Sequence, residues 1–353
     1  MKIFDRITNS YTKETPFVVY RKPNRTTISG LFMNDNSLFY TDKFTESGFV
    51  FAPFNNKEKS ILFPFENSKF INEELSFTTI INPKKDFVAD EKSKQNHIEL
   101  VERTIKEINE NDLKKVVVSR KESVEITIFN LIEVYQNLLQ NYSNAFVYIW
   151  FHPKVGLWLG ATPETLLEFN EVTFKTMSLA GTQVVDNNIK KVVWKSKELE
   201  EQQLVTDFIE NQLKGISLNL KVDKKETIKA GSLLHLRTKV TGELKENSTL
   251  KTLIRALHPT PAVCGLPREQ AKNFILQNEN YNRTFYTGFL GELNFAINNS
   301  KTKTSSLFVN LRCMNIQENK ASVFVGGGIT KDSNAKKEWE ETVSKSAIMK
   351  RVL

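Results

Sequence analysis

Two stretches of this sequence carry paired glutamates three residues apart, Glu198 with Glu201 and Glu338 with Glu341. Each pair lies in a stretch that the sequence predicts to be a helix, so its two carboxylates would share one helix face. Two such faces across a cleft could hold one hard divalent cation, because Mg²⁺ binds through one or two protein carboxylates, several waters and an anionic substrate. The spacing alone leaves open a second interpretation, in which both helices simply expose charged faces to solvent.

Three consecutive glycines (326–328) precede the second glutamate pair and follow a predicted strand over residues 321–325. Glycine tolerates positive φ and leaves backbone N–H groups accessible, so we expect a loop at which a ligand can approach the main chain. Lys345, seven residues after Glu338, would lie on the same helix face as the carboxylates. This combination predicts a site for an anion and a metal ion together.

A candidate base and a candidate acid lie elsewhere in the chain. Lys115 begins a valine-rich stretch, residues 115–120, and Glu164 follows Pro163 among apolar residues. Burial favours the uncharged form of either group, which suits a general base and a general acid. The alternatives are a lysine at a strand end that reaches water and a glutamate in the first turn of a helix.

The composition is that of an ordinary globular protein: 353 residues, 40% hydrophobic and 25% charged. No run approaches the ~18 apolar residues of a membrane span, and residues 1–10 lack the apolar core of a signal peptide. Cys264 and Cys313 provide neither a disulfide framework nor a metal-ligand spacing. We therefore expect a cytoplasmic protein without a membrane partner.

The formal net charge is +8, which could indicate nucleic acid, an anionic surface or an acidic substrate. Basic residues occur as scattered lysine pairs at 84–85, 190–191 and 224–225, and no arginine-rich helix, zinc-finger spacing or RNP-type aromatic pattern accompanies them. We interpret the pairs as solvated surface and expect no nucleic-acid partner.

Glu279 and Arg283, four residues apart, are predicted to form a structural ion pair.

Hydrophobic periodicity gives the order of the remaining elements. The predicted elements are strands and turns over 1–92, a helix over 95–110, a strand over 115–120, a helix over 128–139, a hairpin over 145–160, a tight turn at 178–182, a helix over 195–212, a strand over 234–240, a helix over 250–257, a rigid turn over 258–267, a helix over 268–278 and strands over 284–294 and 307–314.

Eight stretches between residues 115 and 345 together form a recognisable pattern. They are KVVVSR (115–120), GATPETLL (160–167), LAGT (179–182), LHL (234–236), HPTPAVCG (258–265), residues 283–291, LRC (311–313) and residues 326–345. In this order they resemble the chorismate-utilising enzymes, a family that comprises isochorismate synthases, salicylate synthases and the large subunits of anthranilate and aminodeoxychorismate synthases.

The resemblance implies an α+β fold with two packed, largely antiparallel β-sheets and helices on the outside, like that of anthranilate synthase component I. Residues 1–92 would be an N-terminal β-rich part of this same fold, and residues 93–353 the chorismate-binding catalytic region. The resemblance also implies a monomer or weak homodimer and no glutaminase subunit.

The family pattern implies a role for each matching residue. Glu201 and Glu341 would bind Mg²⁺ directly, with Glu198 and Glu338 acting indirectly or through water. Lys115 would be the general base and Glu164 the general acid. The implied contacts to chorismate come from Gly181, Thr182, His235, Ala262, Val263, Tyr286, Arg312, Gly326, Gly327, Gly328 and Lys345.

The subtype is implied by Lys115, which lets water be the nucleophile, and by the turn at residues 259–263, which resembles that of isochorismate synthases. The expected reaction adds water at C2 of chorismate and removes the C4 hydroxyl, for menaquinone biosynthesis. Salicylate synthase and a siderophore-pathway isochorismate synthase remain alternatives, as does a non-catalytic anion- or nucleotide-binding protein. The chain departs from the family at Gln202, where histidine is frequent, and this bears on the orientation of Glu201.

Overall fold

The computed structural model describes residues 2–75, 90–184, 192–230, 233–296 and 302–353. These ranges contain seven helices and nineteen strands. The helices are α1 (Ile3–Thr12), α2 (Glu91–Glu110), α3 (Leu131–Asn141), α4 (Ser196–Lys214), α5 (Leu250–Leu257), α6 (Arg268–Asn278) and α7 (Ala335–Lys350). The strands are β1 (Phe17–Arg21), β2 (Thr27–Met33), β3 (Phe39–Thr41), β4 (Gly48–Ala52), β5 (Ser60–Pro64), β6 (Ser68–Glu74), β7 (Lys115–Glu125), β8 (Phe146–His152), β9 (Gly156–Thr162), β10 (Thr165–Asn170), β11 (Thr173–Val184), β12 (Ser217–Val222), β13 (Glu226–Ala230), β14 (Leu233–Leu244), β15 (Gly265–Leu266), β16 (Phe289–Phe295), β17 (Thr304–Val309), β18 (Cys313–Gln317) and β19 (Lys320–Ile329).

The strands form two sheets. Sheet A has the order β15-β7-β19-β18-β9-β8-β1-β2-β6, and sheet B has the order β12-β14-β11-β10-β17-β16-β4-β5-β3, with β13 also paired to β14. The strand pairs among the described residues are antiparallel. The predicted two-sheet α+β fold is thus confirmed. Strands β1 to β6 contribute three strands to each sheet.

Aromatic side chains fill the space between the sheets. Phe146 of β8 stacks on Phe308 of β17 with ring centroids 4.1 Å apart, and Trp150 of β8 lies 5.0 Å from Phe51 of β4. Apolar clusters on the outer faces involve α4 and α5 against sheet B and α1 and α3 against sheet A. Strands such as β8 are buried along their whole length because they are covered on both faces.

The predicted loop at the three glycines is wrong, because β19 continues through them and pairs with β7. Gly328 lies opposite Val117 and Gly326 opposite Ser119, and none of the three glycines has a positive φ. Gly326 and Gly328 need to be glycine because a side chain at either position would have too little room. A methyl group at Gly326 would lie 2.8 Å from the carbonyl oxygen of Val118.

The predicted tight turn at residues 178–182 is also wrong. Strand β11 runs through it, and its pairing with β14 is interrupted only between Ala180 and Thr182. Gly181 lies in that interruption with φ of +68°, the left-handed region that glycine adopts without steric cost. The glycine therefore marks a β-bulge that bends the strand rather than a reversal of the chain.

Two predicted strands have different limits in the structure. The stretch 307–314 is divided because β17, which ends at Val309, belongs to sheet B, whereas β18, which begins at Cys313, belongs to sheet A. Arg312 lies at this crossing with φ of +47°. The stretch 284–294 becomes strand only from Phe289 onward, since the preceding residues form a turn with positive φ at two threonines.

The N-terminal segment contains one element that the sequence analysis did not predict. Helix α1 buries Ile3 and Ile7, which lie four residues apart on one helix face. The lysines at 224 and 225 are exposed, as predicted, and the pairs at 84–85 and 190–191 lie outside the described residues. Across the described ranges, no helix has the length and apolar character required to cross a membrane.

The predicted ion pair between Glu279 and Arg283 is confirmed, and it is buried. Their side chains approach to 2.5 Å, and each is 2% exposed. Arg283 also donates hydrogen bonds to the carbonyl oxygens of Val117 in β7 and Val263 in the turn before β15. One guanidinium group therefore joins two of the segments that surround the cavity described below.

Replacement of Arg283 by methionine should lower the free energy of unfolding by about 3–5 kcal/mol, because it leaves the buried Glu279 carboxylate without its cationic partner. Lys214→Met provides a matched control, since Lys214 forms an i,i+4 pair with Glu210 at the surface and should cost at most about 0.5 kcal/mol. Urea denaturation of both variants measures the difference. Equal effects would show that the buried pair does not hold these segments.

Candidate active site

A cavity lies between strands β7 and β19 of sheet A and strands β11 and β14 of sheet B, and side chains from α4 and α7 contribute to its wall. All but two of the seventeen residues singled out from the sequence line it; Lys115 and Glu338 lie beside it. The lining members of that set are Glu164, Gly181, Thr182, Glu198, Glu201, His235, Ala262, Val263, Tyr286, Arg312, Gly326, Gly327, Gly328, Glu341 and Lys345.

Carboxylates from two helices converge on the glycines of β19. A methyl group at Gly328 would lie 2.7 Å from Oε1 of Glu201 in α4, and one at Gly327 would lie 3.5 Å from Oε2 of Glu338 in α7. The same position at Gly327 is 4.0 Å from Oε1 of Glu341. The three glycines of β19 have no side chains, and they therefore leave the room into which these acidic groups project.

Each of these carboxylates contacts a lysine. Glu201 lies 2.8 Å from Nζ of Lys115, and Glu341 lies 2.6 Å from Nζ of Lys345. Burial by itself would raise the pKa of Glu201, but Lys115, and at longer range Lys345, more than offset this and place the pKa below its ordinary value. The Lys345 ammonium also donates to the carbonyl oxygen of Gly326, so it bridges α7 and β19.

The donor set fits a hard divalent cation, although the site is not preassembled. In the described ranges, no group of three or more His, Cys, Asp or Glu side chains is already arranged to hold a metal ion. Mg²⁺ needs only one or two protein carboxylates when waters and an anionic substrate complete its shell. Glu201 and Glu341 can supply these oxygens once their lysine contacts open.

Glu198 and Glu338, the two glutamates predicted to act indirectly, make other contacts. Glu198 accepts a hydrogen bond from the backbone N–H of Lys195 and so caps the start of α4. Glu338 is 3% exposed and lies 2.6 Å from Nζ of Lys197. Lys197 lines the cavity and was missed by the sequence analysis, although its position four residues before Glu201 places it on the same face of α4.

Lys115 is completely buried, so the alternative of a strand-end lysine that reaches water is wrong. It lies on the face of β7 shared with Val117, which lines the cavity. Val116 and Val118 pack on the opposite face in an apolar cluster with residues of α2 and α6, as the predicted alternation requires. The side chain of Lys115 thus lies beside the cavity, in contact with Glu201.

Glu164 lies between β9 and β10 and is 3% exposed. The alternative of a first-turn helix residue is wrong, because a strand follows it. Burial raises the pKa of Glu164 to about 8, and the nearby cations Lys115 and Arg312 only partly oppose this. At neutral pH its carboxyl group therefore carries a proton that it can donate into the cavity.

His235 holds Arg312 in place. Nη2 of Arg312 lies 2.8 Å from Nε2 of His235, and because a guanidinium only donates, Nε2 must be the acceptor. The proton of the ring is then on Nδ1, which faces the carbonyl oxygen of Gly181 at 3.1 Å. Burial, and then Arg312 and Lys345, lower the pKa of His235 to about 3, so the ring stays neutral and keeps this orientation.

The remaining wall is apolar and aromatic. Tyr286 stacks on Phe324 with ring centroids 5.4 Å apart, and its hydroxyl lies 3.1 Å from the position that a methyl group on Gly326 would occupy. Ala262 and Val263 face the cavity from the turn before β15. A planar ring could pack against this side while its charged groups face the lysines and the arginine.

Gln202 does not line the cavity. It is 1% exposed and donates hydrogen bonds to Oγ of Ser178 at 2.8 Å and to Oγ1 of Thr238 at 3.2 Å. These contacts fix α4 against β11 and β14, directly beside Glu201. The glutamine thus orients the helix that carries the proposed metal ligand.

The chain belongs to the chorismate-binding enzyme family. A family model described as chorismate binding enzyme matches residues 55–353. Isochorismate synthase DhbC of Bacillus subtilis (strain 168) is 29% identical over 272 residues, which cover 72% of this chain and 66% of that protein. Isochorismate synthase EntC of Escherichia coli (strain K12) is 31% identical over 205 residues, covering 56% and 51%. In both cases the match spans less than two thirds of the relative's length.

Solved structures share the fold. The crystal structure of DhbC from Bacillus anthracis has a TM-score of 0.80 at 22% identity and covers 99% of both chains. The structure of MenF, the menaquinone-specific isochorismate synthase from Escherichia coli, has a TM-score of 0.77 at 20% identity and covers 96% of this chain and 88% of that one. Anthranilate synthase component I from Streptococcus pneumoniae has a TM-score of 0.63 at 24% identity, covering 78% and 61%.

The raised pKa of Glu164 predicts a pH-dependent stability. Its neutral form stabilises the folded state fully below the ordinary value of 4.5, and this contribution is lost as the pH rises towards about 8. Between these values the free energy of unfolding of the wild type should fall relative to Glu164→Gln by up to about 1.4 kcal/mol per pH unit.

The measurement is urea denaturation of both proteins at several pH values. Glu168→Gln serves as the control, because Glu168 is exposed on the neighbouring strand and keeps its carboxyl group in water in the folded state. If the wild type and Glu164→Gln show the same pH dependence, the buried acid is not protonated as described.

Proposed function

We propose that this protein is an isochorismate synthase. The observation that carries the proposal is a buried acid, Glu164, that lines the cavity with its pKa raised to about 8, together with a fully buried lysine, Lys115, beside the cavity and with carboxylates and cations around them. Relatives named isochorismate synthase support it. The substrate is chorismate, which carries two carboxylates and a hydroxyl group at C4.

The substrate carboxylates have cationic partners in the cavity. We assign one to Lys345, whose ammonium lies beside β19, and one to Arg312, which His235 orients. Charge-assisted hydrogen bonds of this kind are stronger than neutral ones. The ring would then lie against Tyr286 and the turn that carries Val263, which fixes its pose before any bond changes.

The chemical step needs a base and an acid. Lys115 removes a proton from water, whose oxygen forms a bond to C2 of the ring. The double bonds shift, and the C4 hydroxyl group leaves as water after it takes the proton of Glu164. A buried carboxyl group with a pKa of about 8 suits this donation. The proposal requires the contact between Lys115 and Glu201 to open when substrate binds and the ammonium to lose its proton, because only a neutral amine can accept a proton from water.

Mg²⁺ is the proposed cofactor, with Glu201 and Glu341 as its protein ligands and Glu198 and Glu338 as indirect partners. When bound, the ion would neutralise substrate charge and polarise a substrate oxygen. The protein residues do the rest: Lys345 and Arg312 orient the substrate, and the buried surroundings of Glu164 raise its pKa so that it can donate a proton.

We place the product in menaquinone biosynthesis, as for the MenF protein that shares this fold. Relatives named DhbC and EntC keep a siderophore pathway as the alternative. Deletion of the gene distinguishes the two, because loss of respiratory quinone supports the first use and loss of an iron chelator supports the second.

Purified protein with chorismate and Mg²⁺ should form isochorismate as its main product. Lys115→Ala and Glu164→Gln should each lose about 10²–10⁴-fold in turnover, since each removes a general acid or base. Lys114→Ala is the matched control, because Lys114 is the exposed neighbour of the buried lysine and should keep wild-type turnover. Chromatography of the reaction mixture identifies the products.

Other products would overturn the proposal. Salicylate as the main product would indicate a salicylate synthase, and anthranilate formed with added ammonium would indicate the amine-using branch of the family. No turnover, together with a chorismate-independent thermal shift by ATP, would favour the non-catalytic binding protein.

Removal of metal by excess EDTA should abolish turnover, and added Mg²⁺ should restore it. Glu201→Gln and Glu341→Gln should greatly weaken turnover without unfolding the chain, because each removes a negatively charged oxygen ligand. Glu200→Gln and Glu340→Gln are the matched controls, because each replaces the exposed glutamate directly before a proposed ligand. Full turnover in EDTA would contradict the assignment of a metal-dependent site.

A further inference from the structure

A second polar cavity lies outside the candidate active site. It is bounded by the first turns of α2, the part of β7 that follows its short pairing with β15, and the segment after α6. Four cationic side chains line it, Lys92, Arg103, Arg120 and Lys121, and three asparagines and a histidine add further polar groups. The reaction proposed above assigns no role to this cavity, although Ser119 and Arg120 in its wall belong to the stretch 115–120 that resembles the family.

Two nearly buried side chains in its wall have polar atoms without partners. Arg120 is 6% exposed; its Nε donates to Thr342 and its Nη1 to Glu122, but Nη2 has no acceptor within the described residues. His97 is 3% exposed, and neither of its ring nitrogens has a partner within those residues. Buried donors of this kind are normally satisfied, so the pair points to a missing acceptor.

The charge of the cavity favours an anion. Two carboxylates line it, but both have hydrogen-bond partners on α2 itself: Asp90 accepts from the backbone N–H of Ser93, and Glu99 accepts from Gln95. The N-terminus of α2 adds the positive end of a 20-residue helix. The four cationic side chains that line the cavity therefore outnumber the two carboxylates in its lining, and Glu122, which contacts Arg120, is shared with Lys350.

His97 can act as a donor without a charge of its own. Burial, and then the neighbouring Arg120, lower the pKa of His97 to about 4. Its neutral ring has one N–H group and one acceptor nitrogen, so an anion could accept from the ring while the guanidinium supplies the positive charge.

We propose that this cavity binds phosphate, either as the free anion or as the phosphate group of a small phosphomonoester, through Nη2 of Arg120 and a ring N–H of His97. Lys92, Arg103 and Lys121 provide the surrounding positive charge. A tetrahedral dianion matches this set because it has several acceptor oxygens, and guanidinium groups bind phosphate with high geometric complementarity.

Phosphate binding in this cavity would also fix the position of helix α7. The Arg120 guanidinium lies 4.4 Å from the centre of the Trp339 ring, His97 lies 5.9 Å from that ring, and Thr342 accepts from Arg120. A phosphate that fixes Arg120 and His97 therefore fixes the helix that carries Glu338 and Glu341. Because the ligand binds only the folded chain, it should raise the melting temperature.

The test is a titration of the full chain with inorganic phosphate, and separately with glycerol 3-phosphate, at constant ionic strength. We expect a saturable rise in melting temperature with at least one of the two, and the stronger ligand identifies the source of the phosphate group. Arg120→Gln should weaken the apparent affinity about ten-fold or more. Lys106→Gln is the control, because it removes an exposed cation of α2 that does not line the cavity.

Two further variants keep the proposal falsifiable. His97→Phe preserves a ring but removes both nitrogens, and it should weaken binding even if Arg120→Gln fails to fold. Lys345→Ala removes a cation from the active-site cavity and should retain the response. A response that is absent or does not saturate in the wild type, or one lost in Lys345→Ala but kept in both Arg120→Gln and His97→Phe, would overturn the proposal.

Discussion

The candidate site depends on the close approach of three elements at strand β19, where three consecutive residues have no side chain. β7 pairs with this strand on one side, and α4 and α7 direct carboxylates towards it. At Gly328 even a methyl group would lie 2.7 Å from Glu201 and 2.9 Å from Cε of Lys115. The space that a side chain would occupy is thus used by the side chains of Glu201 and Lys115, which come from different parts of the chain.

Charge balance follows from this crowding. Several carboxylates are brought into a partly closed cavity, and unpaired buried charges cost several kcal/mol each. The fold offsets that cost with lysines at 2.6–2.8 Å from Glu201, Glu338 and Glu341. Glu164 has no such contact and stays protonated instead. The same cavity therefore holds ionised carboxylates that suit a cation and a neutral carboxyl group that suits proton donation.

The sequence could predict features that depend on local spacing. The i,i+3 spacing placed Glu338 and Glu341 on one face of a helix, and the alternation along β7 separated Val117 from its neighbours. The sequence could not predict that the glycines continue a strand, because these glycines leave space for groups that are distant in sequence. The contact between Lys115 and Glu201 likewise depends on how β7, β19 and α4 dock together, which no local pattern specifies.

The most direct test of this account is the replacement of Gly328 by alanine. Its backbone does not have a positive φ, so alanine changes only the space beside Glu201 and Lys115. Gly215→Ala is the control, since a methyl group there would meet no atom within 4 Å. Chorismate turnover, with circular dichroism to check folding, should fall about 100-fold in Gly328→Ala and stay unchanged in Gly215→Ala. Wild-type turnover in a folded Gly328→Ala protein would contradict the account.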